Sequence, residues 1–227
     1  MILTFDPKDH VYRADGRVVH SVSQVGSGFR FNDEPVFIDT RWFKESGRKR
    51  GSDVHSAIEM INNGLLSASD FSGADNEPYI QAYGTFLNDT GFKPILTEAM
   101  GYHPLYDYCG TIDTVGIKND KLVLLDLKSG GKSKWYGVQL AAYALLLHDS
   151  PTLFRLTEKE TENGILCEEY ENPVYRKPLD RRILYIRNNG KYSFDEGFKD
   201  KQREYRFSDQ YWTNAWIAAI TLKQWAA

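Results

Sequence analysis

The sharpest feature of the hydrophobic pattern is Leu122–Gly130, LVLLDLKSG, where four apolar residues run into a carboxylate and then an ammonium group. The run is bounded by Asn119-Asp120 and Ser129-Gly130-Gly131, which predicts a strand buried on both faces. Upstream, HVYRADGRVVH places β-branched and aromatic residues around Asp15-Gly16, so residues 1–20 read as a hairpin, with Ser21 or Ser23 capping a short helix. A helix is predicted after Ser52 as N-cap. Val54, Ile58 and Ile61 form its apolar stripe, His55 lies in its first turn and Gly64 stops it. A second helix covers 77–89, with Ile80, Tyr83 and Phe86 or Leu87 inward and Gly91 at its end. Strands follow at 94–101, 106–118 and 121–128, the last two made antiparallel neighbours by the tight turn at Asn119-Asp120. The apolar run Leu140–Leu147 predicts a buried helix. Residues 149–177 are acidic and aperiodic and read as a loop or insertion. A hairpin across Asn189-Gly190 and a last helix after Ser208, striped by Trp212, Trp216 and Ile220, complete the chain.

Composition narrows the class. With 227 residues, 41% hydrophobic and 26% charged, the chain has the usage of one folded domain, 1–227, rather than a disordered one. The net charge of −3 excludes a uniformly basic nucleic-acid coat, so an anionic substrate has to be met by local charge. Cys109 and Cys167 stand apart without metal-spaced companions, which suggests neither a disulfide framework nor a zinc module and fits a cytoplasmic protein. No apolar run approaches the roughly 18 residues of a membrane span.

Charge inside the apolar strand needs a partner. Asp126 and Lys128, two apart, project from one face while Leu125 and Leu127 point the other way. An ionised carboxylate taken from water costs several kcal/mol unless a cation compensates it. On its own, an Asp-x-Lys at a strand end is most simply an ion pair where the chain surfaces. A second carboxylate changes that: a register centred on Asn119-Asp120 sets Asp113 of CGTIDTVG opposite Asp126. Facing Cβ atoms lie about 5 Å apart, where like charges repel without a bridging ion, and a hard divalent metal resolves the conflict. Gln139 and Tyr143, spaced i, i+4, share one face of the apolar helix. Taken singly, each is a hydrogen-bonded core residue, and His55 a structural histidine.

In order, His55 of RGSDVHSAIE, Asp113 of GTID, Asp126 and Lys128 of DLKSG, and Gln139 with Tyr143 of QLAAY resemble the RecB-like branch of the PD-(D/E)XK nucleases. The similarity spans roughly residues 50–148, and HVYRADGRVVHSVS is similar to the opening of phage-type exonucleases of that branch. Ile112 stands where the motif has proline. The resemblance implies an α/β (α+β) fold with a restriction-endonuclease-like core, a central mixed β-sheet flanked by helices. It also implies Mg²⁺ or Mn²⁺ held by His55, Asp113, Asp126 and the Leu127 carbonyl, with the imidazole favouring manganese tolerance. Lys128 would position the attacking water, and Gln139 and Tyr143 would line the site. Glu98 is either part of a second metal site or outer shell, or a surface glutamate. Glu59, four residues after His55, either orients the imidazole or lies on a solvated helix face.

Bases for gripping DNA are Arg41, Lys44, Arg48, Lys49 and Arg50 ahead of His55, Lys132 and Lys134 after the charged strand, and Arg176, Lys177, Arg181 and Arg182, with Trp42, Trp135 and Tyr136 as stacking surfaces. The implied activity is a metal-dependent deoxyribonuclease, an exonuclease acting at single- or double-stranded ends. Its implied partners are a strand-annealing or helicase protein of recombination and further copies of the chain. Two alternatives share these residues: an inactive nucleic-acid-binding relative, and a hydrolase of RNA or small phosphodiesters.

Overall fold

The computed structural model describes residues 1–27, 30–31, 34–35, 45–199 and 204–225. The chain opens with β1 (Leu3–Asp6), β2 (Val11–Ala14) and β3 (Arg17–Ser21). The expected hairpin joins β2 to β3, Asp15 and Gly16 both taking the left-handed backbone that its tight turn requires. Ser21 caps the short α1 (Val22–Ser27). Its Oγ accepts the Gln24 amide at 3.2 Å and Gln24 Oε1 accepts the Ser21 amide at 2.9 Å. A two-residue pairing of β4 (Arg30–Phe31) with β5 (Glu34–Pro35) precedes α2 (Glu45–Asn62). That helix starts seven residues before Ser52, so Ser52 is not its cap and His55 lies mid-helix instead of in the first turn. The polar run ESGRKRG faces water and carries no apolar stripe by which its helicity could be read. A 3-10 turn (Ala68–Phe71) leads to α3 (Glu77–Thr90), which ends at Gly91 with φ 63°.

Next come β6 (Lys93–His103), β7 (Tyr108–Lys118), β8 (Lys121–Lys128) and α4 (Trp135–Asp149). Residues 149–177 are not a loop: they contain β9 (Thr152–Thr161) and β10 (Gly164–Glu171), an antiparallel hairpin. Only Leu153 and Phe154 of β9 are buried, so most of the hairpin faces solvent and shows no alternation to betray it. The chain closes with β11 (Asp180–Ile186), β12 (Tyr192–Asp195), the small pair β13 (Gly197–Lys199) and β14 (Glu204–Arg206), and α5 (Gln210–Trp225).

The expected architecture, a central mixed sheet flanked by helices, is overturned by closure. Strands β7, β3, β2, β1, β10, β9 and β6 form a ring in that order, sealed where β6 pairs with β7. The core is therefore a seven-stranded barrel, with β8, β11 and β12 continuing outward from β7. The physical reason lies in the N-terminal strands. Leu3, Phe5, Tyr12, Ala14 and Val19 present an apolar face that pairs laterally with the β9–β10 hairpin and closes over Met100, Cys109, Phe154 and Cys167. Closure leaves the ring without free edges. It is thin at two seams, with only His20↔Tyr108 and Ser21↔Cys109 between β3 and β7, and Met100↔Phe154 between β6 and β9.

Outside the barrel, β8 alternates as the sequence predicts. Leu124 packs into a core with α1, α4 and α5, whereas Val123, Leu125 and Leu127 pack with α2 and α3. Trp212, Trp216 and Ile220 are core residues of α5. Among the described residues, no helix is long and apolar enough to cross a membrane.

The β6–β7 seal depends on close approach at Gly116, where a Cβ would meet the Lys93 carbonyl oxygen at 2.6 Å and the Phe92 ring closer still. Backbone cannot step aside as a side chain can. Gly116→Ala is expected to destabilise the protein by about 1–3 kcal/mol, read as a lowered urea midpoint; an unchanged midpoint would contradict this packing.

Candidate active site

Strands β7 and β8 pair from the turn at Lys118↔Lys121 up to Thr114↔Leu125 and no further. Beyond that point β7 continues against β6 and β3, while β8 continues against β11 as far as Lys128↔Tyr185. The strands part in a fork, and Asp113 and Asp126 are the first residues inside it, in the register the turn predicted. Asp113 Oδ2 accepts the Leu127 amide at 2.7 Å. Because a strand residue sends its N–H and C=O from the same edge, the Leu127 carbonyl faces the fork as well.

Glu98 joins them from the other side. It lies opposite Asp113, between Thr97↔Thr114 and Ala99↔Ile112, so three neighbouring strands bring three carboxylates into one row. Its φ of 47° is the left-handed region that a glutamate seldom occupies. Such backbone persists only where the surroundings enforce it, and it gathers at functional sites. His55 reaches the row from α2, Nδ1 lying 3.2 Å from Glu98 Oε1 and 3.7 Å from Asp113 Oδ1. The helix can do this because Val54, Ala57 and Ile58 bury its other side against α3 and β8. The imidazole turns to Glu98 and Asp113, while Glu59 lines the same cavity without bonding the ring; orienting His55 is thus the work of Glu98.

The electrostatics of the row follow from burial. Asp126 is 1% exposed, and burial pushes its carboxyl up to about 7 against the pull of the Lys128 ammonium. Burial raises Asp113 as well, opposed by His55 and Lys128. Burial disfavours the charged Lys128 and His55, but the neighbouring acids prevail: Asp126 and Asp113 raise the lysine, and Asp113 with Glu98 holds His55 at about 9. Lys128 Nζ lies 2.6 Å from Asp126 Oδ2, yet outside hydrogen-bond geometry, and both Asp126 oxygens are buried with no hydrogen-bond partner.

A buried carboxylate balanced by a single lysine, beside two further carboxylates, is the arrangement a divalent cation relieves. Ligand atoms of His55, Glu98 and Asp113 all lie within 4.8 Å of one another. Carboxylate oxygens suit Mg²⁺ and Mn²⁺, and the imidazole is the donor magnesium accepts least readily. The donors that lie together are thus His55, Glu98 and Asp113, chemically suited to such an ion, whereas Asp126, expected as a ligand, falls outside that group with its Oδ2 against Lys128.

Gln139 and Tyr143 reach the same cavity as Asp113 and Lys128, and Gln139 Nε2 donates to the Tyr143 hydroxyl at 3.0 Å. The Tyr143 ring lies against β7 because residue 110 is glycine; a Cβ there would sit 2.8 Å from Cε1. The bases divide. Arg48, two helical turns before His55, lines the cavity. Lys49 turns to Asp53 at 2.8 Å, and Arg50 stacks over Tyr79 of α3, so neither joins the site. Lys132 is paired with Asp195 at 2.5 Å, and Lys134 lies over Phe198. Trp135 is 5% exposed and serves the core rather than a base-stacking surface. Tyr136 instead sits over the Lys128 ammonium at 5.0 Å, a placement without a local sequence signal. Arg41, Trp42 and Lys44 lie outside the described residues.

Neither a protein-family model nor a curated protein matches this chain. Its geometry and its residues carry the reading.

A titration follows. Asp126 and His55 both have folded pKa values above their ordinary 3.8 and 6.5. Each contribution to stability is complete below the ordinary value and is lost as pH rises through about 7 and about 9 respectively. In EDTA, the melting temperature is expected to fall as pH rises, from the acid range up to about 7 for Asp126 and on to about 9 for His55. Mn²⁺ at a hundred times its Kd should restore about 2.7 kcal/mol, with metal affinity rising as the ligands lose protons. Coincident melting curves with and without metal would refute the cation site.

Proposed function

We propose that this protein is a metal-dependent deoxyribonuclease that hydrolyses DNA phosphodiester bonds from strand ends. The observation that carries the reading is Asp126: a buried carboxylate with both oxygens lacking hydrogen-bond partners, next to Lys128 and in one row with Asp113 and Glu98. A core ion pair alone asks for no third and fourth acidic or basic group, whereas phosphodiester hydrolysis uses all of them. The order of His55, Asp113, Asp126, Lys128, Gln139 and Tyr143 resembles RecB-like nucleases and supports the choice of DNA and of end-directed cleavage. The closed barrel separates the fold from the architecture which that resemblance implied.

Mg²⁺ or Mn²⁺, when bound by His55, Glu98 and Asp113, supplies Lewis-acid charge to the phosphoryl oxygens. The side chains do the rest. Lys128 is 17% exposed and keeps its proton, so its ammonium stabilises charge developing on the phosphoryl group and orients the attacking water. Burial holds the Tyr143 hydroxyl protonated. With one lone pair taken by Gln139, its O–H is a donor for a phosphoryl oxygen, and the Gln139 carbonyl oxygen is an acceptor for water. Arg48, at the cavity wall, meets the substrate backbone.

Cleavage of end-labelled single- and double-stranded DNA, with RNA and bis(p-nitrophenyl) phosphate in parallel, tests this in Mn²⁺, Mg²⁺ and EDTA. Metal-dependent release of nucleotides from one DNA end is expected, with Asp126→Ala and Lys128→Ala each lowering kcat/KM by about a hundredfold or more. Preference for RNA, or binding without cleavage, would transfer the site to one of the two alternative activities. Arg48→Glu is expected to weaken DNA binding and reduce the salt slope by about one, whereas Lys49→Glu, directed away from the cavity, leaves both near their starting values; equal effects would remove Arg48 from the interface.

A further inference from the structure

Three polar side chains interrupt the apolar α4 along one side. Tyr136, Gln139 and Tyr143 follow at i, i+3 and i+7, which aligns them on a single face. That face lies over β8, on the side to which Leu124, Asp126 and Lys128 project by the strand period of two. Lys128, Gln139 and Tyr143 line the cavity, whereas the Tyr136 ring stands behind the lysine, its centroid 5.0 Å from Nζ.

The ammonium is held by more than its salt bridge. Asp126 draws it by charge, Oδ2 lying 2.6 Å from Nζ, but outside hydrogen-bond geometry that contact gives attraction without direction. Attraction of this kind would settle the ammonium on Asp126 and draw it from a phosphate in the cavity. An aromatic face attracts a cation within about 6 Å of its centroid through the ring quadrupole, so Tyr136 gives Lys128 a second partner and a fixed side to lie on.

The ring itself is fixed. Tyr136 is half-buried, its hydroxyl donates to the Gly131 carbonyl oxygen at 3.0 Å, and its ring lies 6.3 Å from that of Tyr185, the β11 residue paired with Lys128. Tyr185 is buried, with Lys132 and Arg187 over its ring at 5.4 and 5.1 Å. Arg187 Nη1 in turn donates to the Gly130 carbonyl oxygen at 2.9 Å. The glycine turn that leads from β8 to α4 is thereby tied to the ring that Lys128 lies against.

We propose that Tyr136 is the positioning residue for Lys128: its ring holds the ammonium at the cavity wall, and its hydroxyl steadies the ring on the Gly130-Gly131 turn. The part this plays in turnover rests on the nuclease reading, but the hold of the ring on the lysine does not. Because the ring carries the effect, phenylalanine should serve at this position where leucine should not.

Tyr136→Leu and Tyr136→Phe, each made in the parent and in Lys128→Ala, test this. With Mn²⁺ and DNA, Tyr136→Leu is expected to lower kcat about tenfold with KM unchanged, the size of one partly desolvated cation–π contact, while Tyr136→Phe stays within about twofold of the parent. In Lys128→Ala, which has no ammonium to hold, Tyr136→Leu should cost nothing further. A second readout needs no turnover. In protein labelled with ¹³C-lysine, the Lys128 ε-methylene signal, identified by its loss in Lys128→Ala, is expected upfield of the ordinary lysine position through the Tyr136 ring current. It should remain there in Tyr136→Phe and return to the ordinary position in Tyr136→Leu. An ordinary Lys128 signal in the parent, equal loss of kcat in the leucine and phenylalanine variants, or an undiminished effect of Tyr136→Leu in Lys128→Ala would overturn the proposal. A shifted Lys128 signal in a protein that cleaves no substrate with Mn²⁺ would instead overturn the hydrolase reading and leave the hold on the lysine standing.

Discussion

Negative charge held away from water organises this molecule. Asp126 sits in a strand packed on both sides, and a lone carboxylate there would cost several kcal/mol. The surrounding structure gathers charged partners from separate elements: Lys128 from the same strand, His55 from α2, and the carboxylates of Asp113 and Glu98 from β7 and β6. None of these is placed by its own element alone. α2 presents His55 because its apolar side is anchored on α3 and β8, and β6 presents Glu98 only by taking a left-handed residue into a strand. The fork between β7 and β8 gives the row its opening, since continued pairing would close the strands over the carboxylates.

The barrel and the fork are two results of one strand. β7 pairs with β6 and β3 to seal the ring, and with β8 at its other end to start the outward sheet. Strand β7 cannot stay beside β8 for its full length, because its first half turns into the barrel wall. The parting of β7 from β8 is therefore built into closure, and the charged residues stand where the parting begins. The same geometry puts the barrel mouth beside the carboxylate row.

What the sequence determined by itself was local. The Asn119-Asp120 turn set Asp113 opposite Asp126, the period of two put Asp126 and Lys128 on one side of β8, and the spacing of Gln139 and Tyr143 put both on one side of α4. These are short-range consequences of backbone geometry, legible without knowing what packs where. The order of motifs extended them to His55, although the polar first half of α2 concealed where that helix begins. Closure of the barrel was decided only in the tertiary structure. It joins β1 to β10, some 160 positions apart, through a hairpin whose solvent-facing strands carry no alternation. The pairing of Glu98 with His55, the diversion of Lys49 and Arg50 to Asp53 and Tyr79, and the seat of Tyr136 over Lys128 were decided there too. Each depends on how distant elements meet in space, and no local period of apolar residues encodes it.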